Sequence, residues 1–353
     1  MKKIPPLSAE FHGLRPTTKD LAKFAGVSRA TVDRVLNGRE GVKQKTIDKV
    51  NQAIQELGFE RNLSAANLAK NKSYRFIFVL PRSGDLFLRE IVRHIGEAES
   101  LLVNDSMAIQ VTHLDENDPH RIADYLGELT PKTVDGVAIM APETPQVRDA
   151  ILRLHERGVR ALSFISNQTR TGDNWVGIDN EAAGATAATL LGRFVQGSKG
   201  NVLVVSETMK SRDSLERRHG FDRVLNEAFP HLHALPSLET YGSEERAAAI
   251  LRETVSRQDI VATYILSSEA RAPLTVLRGL DQGRGRAMVT IAHERTPYTE
   301  EALRAGHLDA VIAQDPGHLA RSAIRKLRAM TDQRRTLISQ EKIRIEVLLA
   351  TNL

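Results

Sequence analysis

Hydrophobic and polar positions follow two different periods along the chain. In residues 17–58 the apolar positions recur every three or four residues, as at Ile47, Val50 and Ile54, which predicts short amphipathic helices. From Tyr74 onward, short apolar runs alternate with helix-length amphipathic stretches. Apolar runs separated by helices are typical of parallel strands that are buried on both faces. The pattern therefore predicts a small all-α head followed by a larger α/β body.

The apolar runs of the body define its expected strands. They lie at 75–80, 108–114, 136–140, 161–165, 176–178, 201–205, 261–266, 288–292, 310–312 and 343–349. Helices are expected between most of them, at 88–103, 147–157, 182–194 and 319–330. This is more strands than one small sheet usually holds, so we expect two doubly wound parallel sheets with a cleft between them.

Composition excludes several classes of protein. Apolar residues make up 41% of the 353 residues and charged residues 26%, as in ordinary soluble globular proteins. The longest apolar runs, such as 76–80, fall well short of the ~18 residues that a membrane-spanning helix needs. Residues 1–16 lack the apolar core of a secretory signal, and the absence of cysteine excludes disulfides, thiolate metal sites and a cysteine nucleophile. A cytoplasmic protein with no membrane partner is expected.

The charge is distributed unevenly between the head and the body. Residues 1–72 contain 14 Lys and Arg against 7 Asp and Glu, whereas the remaining residues contain 35 basic and 37 acidic side chains. A basic head attached to a slightly acidic body points to a polyanionic partner for the head alone.

Residues 17–38 carry the signals of two short helices joined by a tight turn. Thr17 and Asp20 form a capping-box pattern, and Gly26 can end the first helix in a left-handed turn. Ser28 then begins a second helix, expected at 29–36. This arrangement is typical of a helix-turn-helix, although the helix pattern alone is also compatible with a three-helix cap that binds nothing.

Residues 18–38 read TKDLAKFAGVSRATVDRVLNG, and this order closely resembles the DNA-binding head of the LacI/GalR family of transcription factors. The match continues in register through Val42, Thr46, Val50, Ala53, Leu57, Gly58, Phe59 and Asn62 to a hinge segment at 64–69. The resemblance implies that the second helix enters the major groove of double-stranded operator DNA.

The resemblance also implies roles for individual residues of the head. Arg29, Ala30 and Arg34 take the positions that contact bases, and an arginine suits guanine N7 and O6. Ser28, Asn37 and Thr46 would donate to phosphates, and Leu68 would wedge into the minor groove. The full set of expected DNA contacts is Thr17, Ser28, Arg29, Ala30, Thr31, Asp33, Arg34, Asn37, Lys43, Thr46, Asn62, Ala65 and Leu68.

Three features of the head depart from the family pattern. Asp33 replaces a small hydroxyl residue; it can pair with Arg29 one turn earlier or accept from cytosine N4. Lys43 stands where the family often has a serine that caps the third helix, so a phosphate contact is expected of it. Residues 1–15 extend the usual amino terminus and are expected to form a flexible arm.

The body resembles the periplasmic-binding-protein-like effector domain of the same family. The resemblance rests on 176–184 (VGIDNEAAG), on 217–221 (RRHGF) and on 311–315 (VIAQD). It implies that the chain passes between two subdomains three times, near 165–174, 292–296 and 314–317, as a hinged cleft requires.

The expected fold is therefore an all-α helix-turn-helix head joined by a hinge helix to an α/β body of two doubly wound parallel-sheet subdomains. The head spans 16–62 after the arm at 1–15, and the hinge helix or linker spans 63–73. The effector-binding domain spans 74–353. Its N-subdomain is expected at about 74–165 plus 316–335, and its C-subdomain at about 170–293 plus 338–350.

Five residues are candidates for binding a small effector in the cleft. By position, Arg217, Glu294 and Gln314 replace polar residues that bind ligand in the family, and a fixed guanidinium can clamp hydroxyls or a carboxylate. Glu143 and Arg82 follow early strands, where open α/β sheets bind ligands. Each has a structural alternative: Arg217 can pair with Glu216 or Asp213, Glu294 can be a solvated hinge residue, and Glu143 and Arg82 can be surface groups. Ala270, at another expected contact, cannot bond a sugar, so an effector unlike the common hexoses is expected.

No catalytic motif, metal site or cofactor fingerprint is present in the sequence. The two-histidine zinc helix, the dinucleotide glycines, a phosphate-binding loop and the nucleophile elbow are all missing. We therefore expect no enzyme but a transcriptional regulator, with repression as the expected sign, that acts as a homodimer. Its operator affinity would respond to a sugar, polyol or sugar derivative in the cleft. The alternatives are a solute-binding protein of a sugar transporter and a sugar-modifying enzyme on the same scaffold.

Overall fold

A computed structural model describes residues 16–36, 41–57, 59, 73–82, 85–102, 106–168, 171–195, 197, 199–281, 288–334, 336 and 341–353. The chain divides into two compact units, one ending at Lys72 and the other beginning at Ser73. None of the helices in the described ranges is long and apolar enough to cross a membrane.

The head contains three helices, α1 (Thr18–Ala25), α2 (Arg29–Leu36) and α3 (Gln44–Leu57). The predicted capping box is confirmed, since the Thr17 hydroxyl accepts from the backbone of Asp20 and the Asp20 carboxylate accepts from the backbone of Thr17. Gly26 ends α1 with φ of +67°, which lets the chain turn sharply into α2. The buried core consists of Leu21, Ala22, Ala25, Val32, Val50, Ala53 and Phe59. Ile47, which shares the helical period of Val50 and Ile54, is only half-buried.

The first sheet of the body has five strands in the order β2-β1-β3-β4-β5, and every pairing in it is parallel. The strands are β1 (Tyr74–Pro81), β2 (Met107–Leu114), β3 (Gly136–Ile139), β4 (Arg160–Phe164) and β5 (Trp175–Val176). Its helices are α4 (Leu86–Leu102), α5 (Pro119–Glu128) and α6 (Pro145–Glu156).

The second sheet has the order β12-β11-β10-β9-β6-β7, with β8 also paired to β6. The strands are β6 (Gly200–Ser206), β7 (Leu232–Ala234), β8 (Leu238–Glu239), β9 (Ile260–Ile265), β10 (Val289–His293), β11 (Ala310–Ala313) and β12 (Glu346–Leu348). The remaining helices are α7 (Asn180–Phe194), α8 (Arg212–Ala228), α9 (Glu244–Arg257), α10 (Arg271–Asp281), α11 (Pro297–Arg304) and α12 (Pro316–Thr331). The last of these, α12, contacts β1, β3, β4 and β5 and so covers the first sheet.

The structure corrects the expected path of the chain in several places. The crossing expected at 165–174 lies later, at 177–179, because β5 still pairs with β4. Residues 292–296 do not cross, because β10 and β11 are neighbours in one sheet. The third crossing instead follows α12, where the chain returns to β12. The C-subdomain accordingly begins after β5 and includes β11.

The second sheet also departs from the expected all-parallel pairing. Strand β12 runs antiparallel to β11, because after α12 the chain re-enters the second sheet at the end where β11 leaves it, with Glu346 opposite Ala313. Strands β7 and β8 were not expected: they are two or three residues long and only partly buried, so they leave no apolar run in the sequence.

Two glycines allow helices α7 and α8 to approach each other closely. A Cβ on Gly184 would lie 1.9 Å from the carbonyl oxygen of Arg217, and a Cβ on Gly220 would lie 1.9 Å from that of Glu181. Real side chains cannot occupy such space, so the two backbones meet only because both positions are glycine. This contact places the first turn of α7 against the second and third turns of α8.

Candidate functional sites

Helix α2 of the head presents a polar face to solvent. Val32 is buried in the head core, whereas Arg29, Ala30, Asp33 and Arg34 are exposed. This division follows the helical period, since positions three and four apart share a face. The structure therefore leaves the expected base-contacting side chains accessible on one short helix.

Three further residues of the expected DNA-contacting set lie at the starts of the three helices of the head. The Ser28 hydroxyl accepts from the backbone of Thr31 at 3.1 Å and bonds the Thr31 hydroxyl at 2.8 Å, so it begins α2 as expected. The Thr17 hydroxyl is held by Asp20 at 2.6 Å. Lys43 begins α3 through its backbone carbonyl, which accepts from Thr46, and its side chain is exposed.

Four expected DNA contacts lie outside the described residues, namely Asn37, Asn62, Ala65 and Leu68. The hinge segment at 64–69 lies outside them as well, so the structural statements about the head concern its three helices.

The body has a cavity between its two sheets, which we call the cleft. Residues that follow β1, β2, β3, β4, β6 and β9 line it, and it encloses about 860 Å³ including the part open to solvent. Open α/β sheets place ligand sites at such carboxyl ends of strands. The side-chain pairs that span the cleft include Arg212 with Glu143 at 3.0 Å, Ser166 with Asp213 at 3.3 Å, and Ser268 with Asp85.

Three of the five expected effector residues form one buried network at the carboxyl end of the second sheet. The Arg217 guanidinium donates to the Asn180 side chain, to the Leu266 carbonyl and to Glu294 Oε1, each at 2.9 Å. Gln314 donates to the same Glu294 oxygen at 3.0 Å. The exposed fractions are 3% for Arg217 and 1% for Glu294 and Gln314. The three residues chosen from the sequence therefore do lie together. Two structural alternatives for them are wrong: Glu294 is not a solvated hinge residue, and Glu216 pairs with Arg212 and not with Arg217.

The electrostatics of this network are those of a buried ion pair. Burial by itself would lower the pKa of the Arg217 guanidinium, but the negative charges of Glu294 and Asp213 raise it above its ordinary value. Burial, and more weakly the charge of Asp85, raise the pKa of the Glu294 carboxyl against the opposing charge of Arg217. Glu294 also adopts a left-handed backbone with φ of +67°, an uncommon conformation that is often found at functional sites.

The other two expected effector residues have different positions. Glu143 lines the cleft, but its carboxylate pairs with Arg212. Arg82 is exposed just beyond β1 and is not among the residues that line the cleft.

Sequence reasoning missed the carboxylates that dominate the cleft, Asp85, Glu116, Glu207 and Asp213. Each of the first three lies just after a strand, at the end where ligands bind, and this position was the signal that could have identified them. Burial and then neighbouring carboxylates raise the pKa of Glu207 to about 6. Burial is also the main reason that the pKa of Glu116 and the pKa of Asp85 are raised above their ordinary values.

We expect Glu207→Gln to stabilise the protein at pH 7.5 by about 1 kcal/mol, after allowance for the partial exposure of this side chain. The pKa of Glu207 is raised to about 6 in the folded state, so ionising it opposes folding above that pH, and the amide removes the opposition. The gain should shrink to a small remainder as the pH falls from 6 to 4.5, where the carboxyl is protonated in the folded state and about half protonated in the unfolded state. Urea unfolding at both pH values measures it, with the exposed Glu227→Gln as the control. A gain of the same size at pH 4.5 would contradict this explanation.

The described residues contain no group of three or more His, Asp or Glu side chains close enough to hold a metal ion.

Comparison with known proteins identifies both units. The family described as periplasmic binding protein domain matches residues 76–334, and the family described as bacterial regulatory proteins, lacI family, matches residues 17–62. The fold defines a periplasmic-binding-protein-like body attached to a helix-turn-helix head. The chain belongs to the family of periplasmic binding protein domains through its body, and its head is a helix-turn-helix domain of the lacI family.

Several curated proteins are similar to this chain. The regulator RegA of Clostridium saccharobutylicum is 31% identical over 60% of this chain and 61% of its own length. The repressor PurR of Vibrio atlanticus is 26% identical over 60% of this chain and 61% of its own length. Catabolite control protein A of Staphylococcus xylosus is 28% identical over 47% of this chain and 49% of its own. The matched segment thus spans about half to three-fifths of these relatives.

Solved structures share the fold of the body. A solute-binding protein of an ABC transporter from Burkholderia graminis, in complex with D-arabinose, matches with a TM-score of 0.70 and 20% identity, over 79% of this chain and 96% of that one. A putative LacI transcriptional regulator from Bacteroides fragilis matches with a TM-score of 0.65 and 18% identity. The match covers 80% of this chain and 98% of that one.

Proposed function

We propose that this protein is a sequence-specific DNA-binding regulator that represses transcription. A small molecule bound in the cleft controls its affinity for DNA. The observation that carries the proposal is the exposed polar face of α2, in a head of the LacI family joined to a body with a cleft at the carboxyl ends of two sheets. The protein acts in the cytoplasm as a homodimer on a pseudo-palindromic operator.

The mechanism is thermodynamic linkage between the two sites. A ligand that prefers one state of the body shifts the population of that state only by its difference in affinity for the two states. If the two states hold the paired heads differently, the DNA affinity changes by the same free energy. The ligand class favoured by the fold is sugar-like, since the matched solute-binding protein from Burkholderia graminis binds D-arabinose.

A transport role for the chain is less favourable, because a solute-binding protein has no use for a helix-turn-helix head. An enzyme on the same scaffold is also less favourable, because the described residues that line the cleft include no histidine that could activate a serine hydroxyl.

Selection of duplexes from a random DNA pool with the full-length chain tests the proposal. We expect enrichment of an inverted repeat, because a two-fold dimer places its α2 helices in two equivalent major grooves. Recovery of sequences with no common motif, or of no DNA, would contradict the proposal.

Arg34→Ala should weaken binding to the selected duplex by about 1–3 kcal/mol and relax base preference at one symmetric pair of positions. The exposed Arg34 side chain suits bidentate bonding to guanine, which is lost in the variant. The matched variant is Lys43→Ala, for which we expect equal weakening on all sequences and a shallower salt dependence, as for a phosphate contact. Fluorescence anisotropy over a salt series distinguishes the two. Equal weakening of selected and random duplexes by Arg34→Ala would show that Arg34 contacts a phosphate instead.

A further inference from the structure

Two of the segments that carry the chain between the subdomains meet at one buried network. The first crossing leads directly into Asn180 at the start of α7, and the second crossing, from β11 to α12, begins at Gln314. Glu294 Oε1 accepts from Arg217 at 2.9 Å and from Gln314 at 3.0 Å. Arg217 also donates to Asn180 at 2.9 Å. One guanidinium and one carboxylate oxygen therefore connect the two crossings, and we call these four side chains the hinge network.

The hinge network is buried next to the cleft, but it is not part of the cleft wall. Asn180 and Arg217 are 3% exposed, and Glu294 and Gln314 are 1% exposed. None of the four is among the described residues that line the cleft, although Ser214, one turn before Arg217 on α8, does line it. The four side chains thus contact one another and the backbone rather than the space that a ligand would occupy.

Folding stability alone does not account for the arrangement of the hinge network. Glu294 has a left-handed backbone with φ of +67°. Its Oε2 atom and the Oε1 atom of Gln314 are buried without a hydrogen-bond partner among the described residues. A strained backbone and buried acceptors without donors each lower the free energy of unfolding. A buried polar network with such costs is better explained by the selection of one backbone arrangement.

Each of the two crossings ends in an aspartate that begins the next helix. The side chains of Asp179 and Asp315 accept from the backbone three residues later, at 2.9 Å in α7 and at 3.0 Å in α12. Helix α7 contacts β10 and β11 of the second sheet, whereas α12 covers the first sheet. Holding Asn180 and Gln314 at one separation therefore fixes where these two helices begin, and with them the angle between the subdomains.

We propose that Arg217, Glu294 and Gln314 are positioning residues of the hinge, which together with Asn180 hold the first two crossings at one separation and so stabilise one arrangement of the subdomains. The bond between Gln314 and Glu294 forms in that arrangement and is broken in the other, so it contributes to the balance between the two. This role differs from the ligand contact that the sequence leads us to expect. Its effect on DNA binding rests on the proposed function, whereas the positioning itself is a property of the body.

The distance between the subdomains can be measured with spin labels, because the chain contains no cysteine of its own. Asp124 on α5 and Glu253 on α9 are exposed and lie in different subdomains. The full-length chain with Asp124→Cys and Glu253→Cys is labelled and diluted with excess unlabelled chain, so that only distances within one chain are recorded. Double electron–electron resonance should show one main distance in this parent protein.

Gln314→Met removes the amide that holds the second crossing and nearly preserves the length of the side chain. We expect a second distance, whose population relative to the first rises about tenfold, as the loss of one hydrogen bond to a charged group requires. Gln168→Met is the matched control. Gln168 is also 1% exposed, its Nε2 donates to the Ala141 carbonyl within the first subdomain, and its Oε1 has no partner among the described residues. This variant should lose a similar amount of stability in urea and keep the parent distance.

Two variants of Asn180 test the other crossing. Asn180→Leu removes the acceptor for the Arg217 Nε atom and should produce the same second distance as Gln314→Met. Asn180→Asp keeps an acceptor at that place and should retain the parent distance. Circular dichroism establishes which variants fold, and either crossing can be tested when the variant of the other does not fold.

Three results would overturn the inference. The first is an unchanged distance in folded Gln314→Met or Asn180→Leu, and the second is the same new distance in the Gln168→Met control. The third is a failure of both hinge variants to fold while Gln168→Met folds, which would show that the network serves folding alone. These measurements use neither DNA nor a ligand, so a failure of the regulator proposal is detected separately by the selection of duplexes.

Discussion

Gly220→Ala is expected to destabilise the body by about 3 kcal/mol or more, which would leave little folded protein at physiological temperature. The new Cβ would lie 1.9 Å from the carbonyl oxygen of Glu181, an atom of the α7 backbone that cannot move away as a flexible side chain could. Helices α7 and α8 would have to separate, and their packing on the second sheet would be lost with the separation. Urea unfolding of the purified chain, followed by circular dichroism, measures the effect.

Gly127→Ala is the matched control, because Gly127 is also helical but a Cβ there would meet no atom within 4 Å. Alanine at that position should stabilise the protein by up to about 1 kcal/mol, because alanine is more favourable than glycine inside a helix. A Gly220→Ala variant as stable as wild type would show that the two helices are not in close backbone contact.

Arg217→Met should destabilise the body by about 3–5 kcal/mol, because it leaves the Glu294 carboxylate buried with no positive partner. The variant also removes the donors that hold Asn180, at the start of α7, and the Leu266 carbonyl, at the end of β9. We therefore expect the variant to lower the free energy of unfolding as well as to weaken the effect of the cleft ligand on DNA binding. Urea unfolding of the body transition at pH 7.5 is the measurement.

Two further variants separate the charge of Arg217 from its size. Arg217→Met combined with Glu294→Leu removes both charges and should recover most of the stability, since an apolar pair can replace a buried ion pair. Arg153→Met breaks an exposed pair with Asp149 and should cost less than about 0.5 kcal/mol. If the single Arg217 variant were as mild as the Arg153 variant, the buried pair would contribute nothing to folding.

Local features of the fold could be predicted from the sequence because they depend on residues a few positions apart. The Thr17–Asp20 capping box and the turn at Gly26 depend on short-range hydrogen bonds and on one backbone conformation, and both are confirmed. The major strands also match, since a strand buried on both faces needs a continuous apolar run, as in β1 and β6. Strands β7 and β8 have no such run and could not be predicted.

The order of strands and the crossings could be predicted only in part, because they depend on contacts between distant segments. The two-residue strand β5 joins the first sheet only through its register with β4, which no local pattern specifies. The acidic character of the cleft has the same origin. Asp85, Glu116 and Glu207 are far apart in the sequence, and their shared position appears only when six strand ends meet at one cavity.

The proposed coupling between DNA and ligand is tested most directly by one reciprocal titration of the full-length chain. The affinity for the selected duplex is measured with and without a saturating cleft ligand, found by a thermal-shift screen of sugars, polyols and sugar acids. The affinity for that ligand is then measured with and without the duplex. Linkage requires the two affinities to change by the same factor, and a factor of about 5–150 is expected. A DNA affinity that is the same with the cleft empty and filled would contradict the proposed control of DNA binding by the ligand.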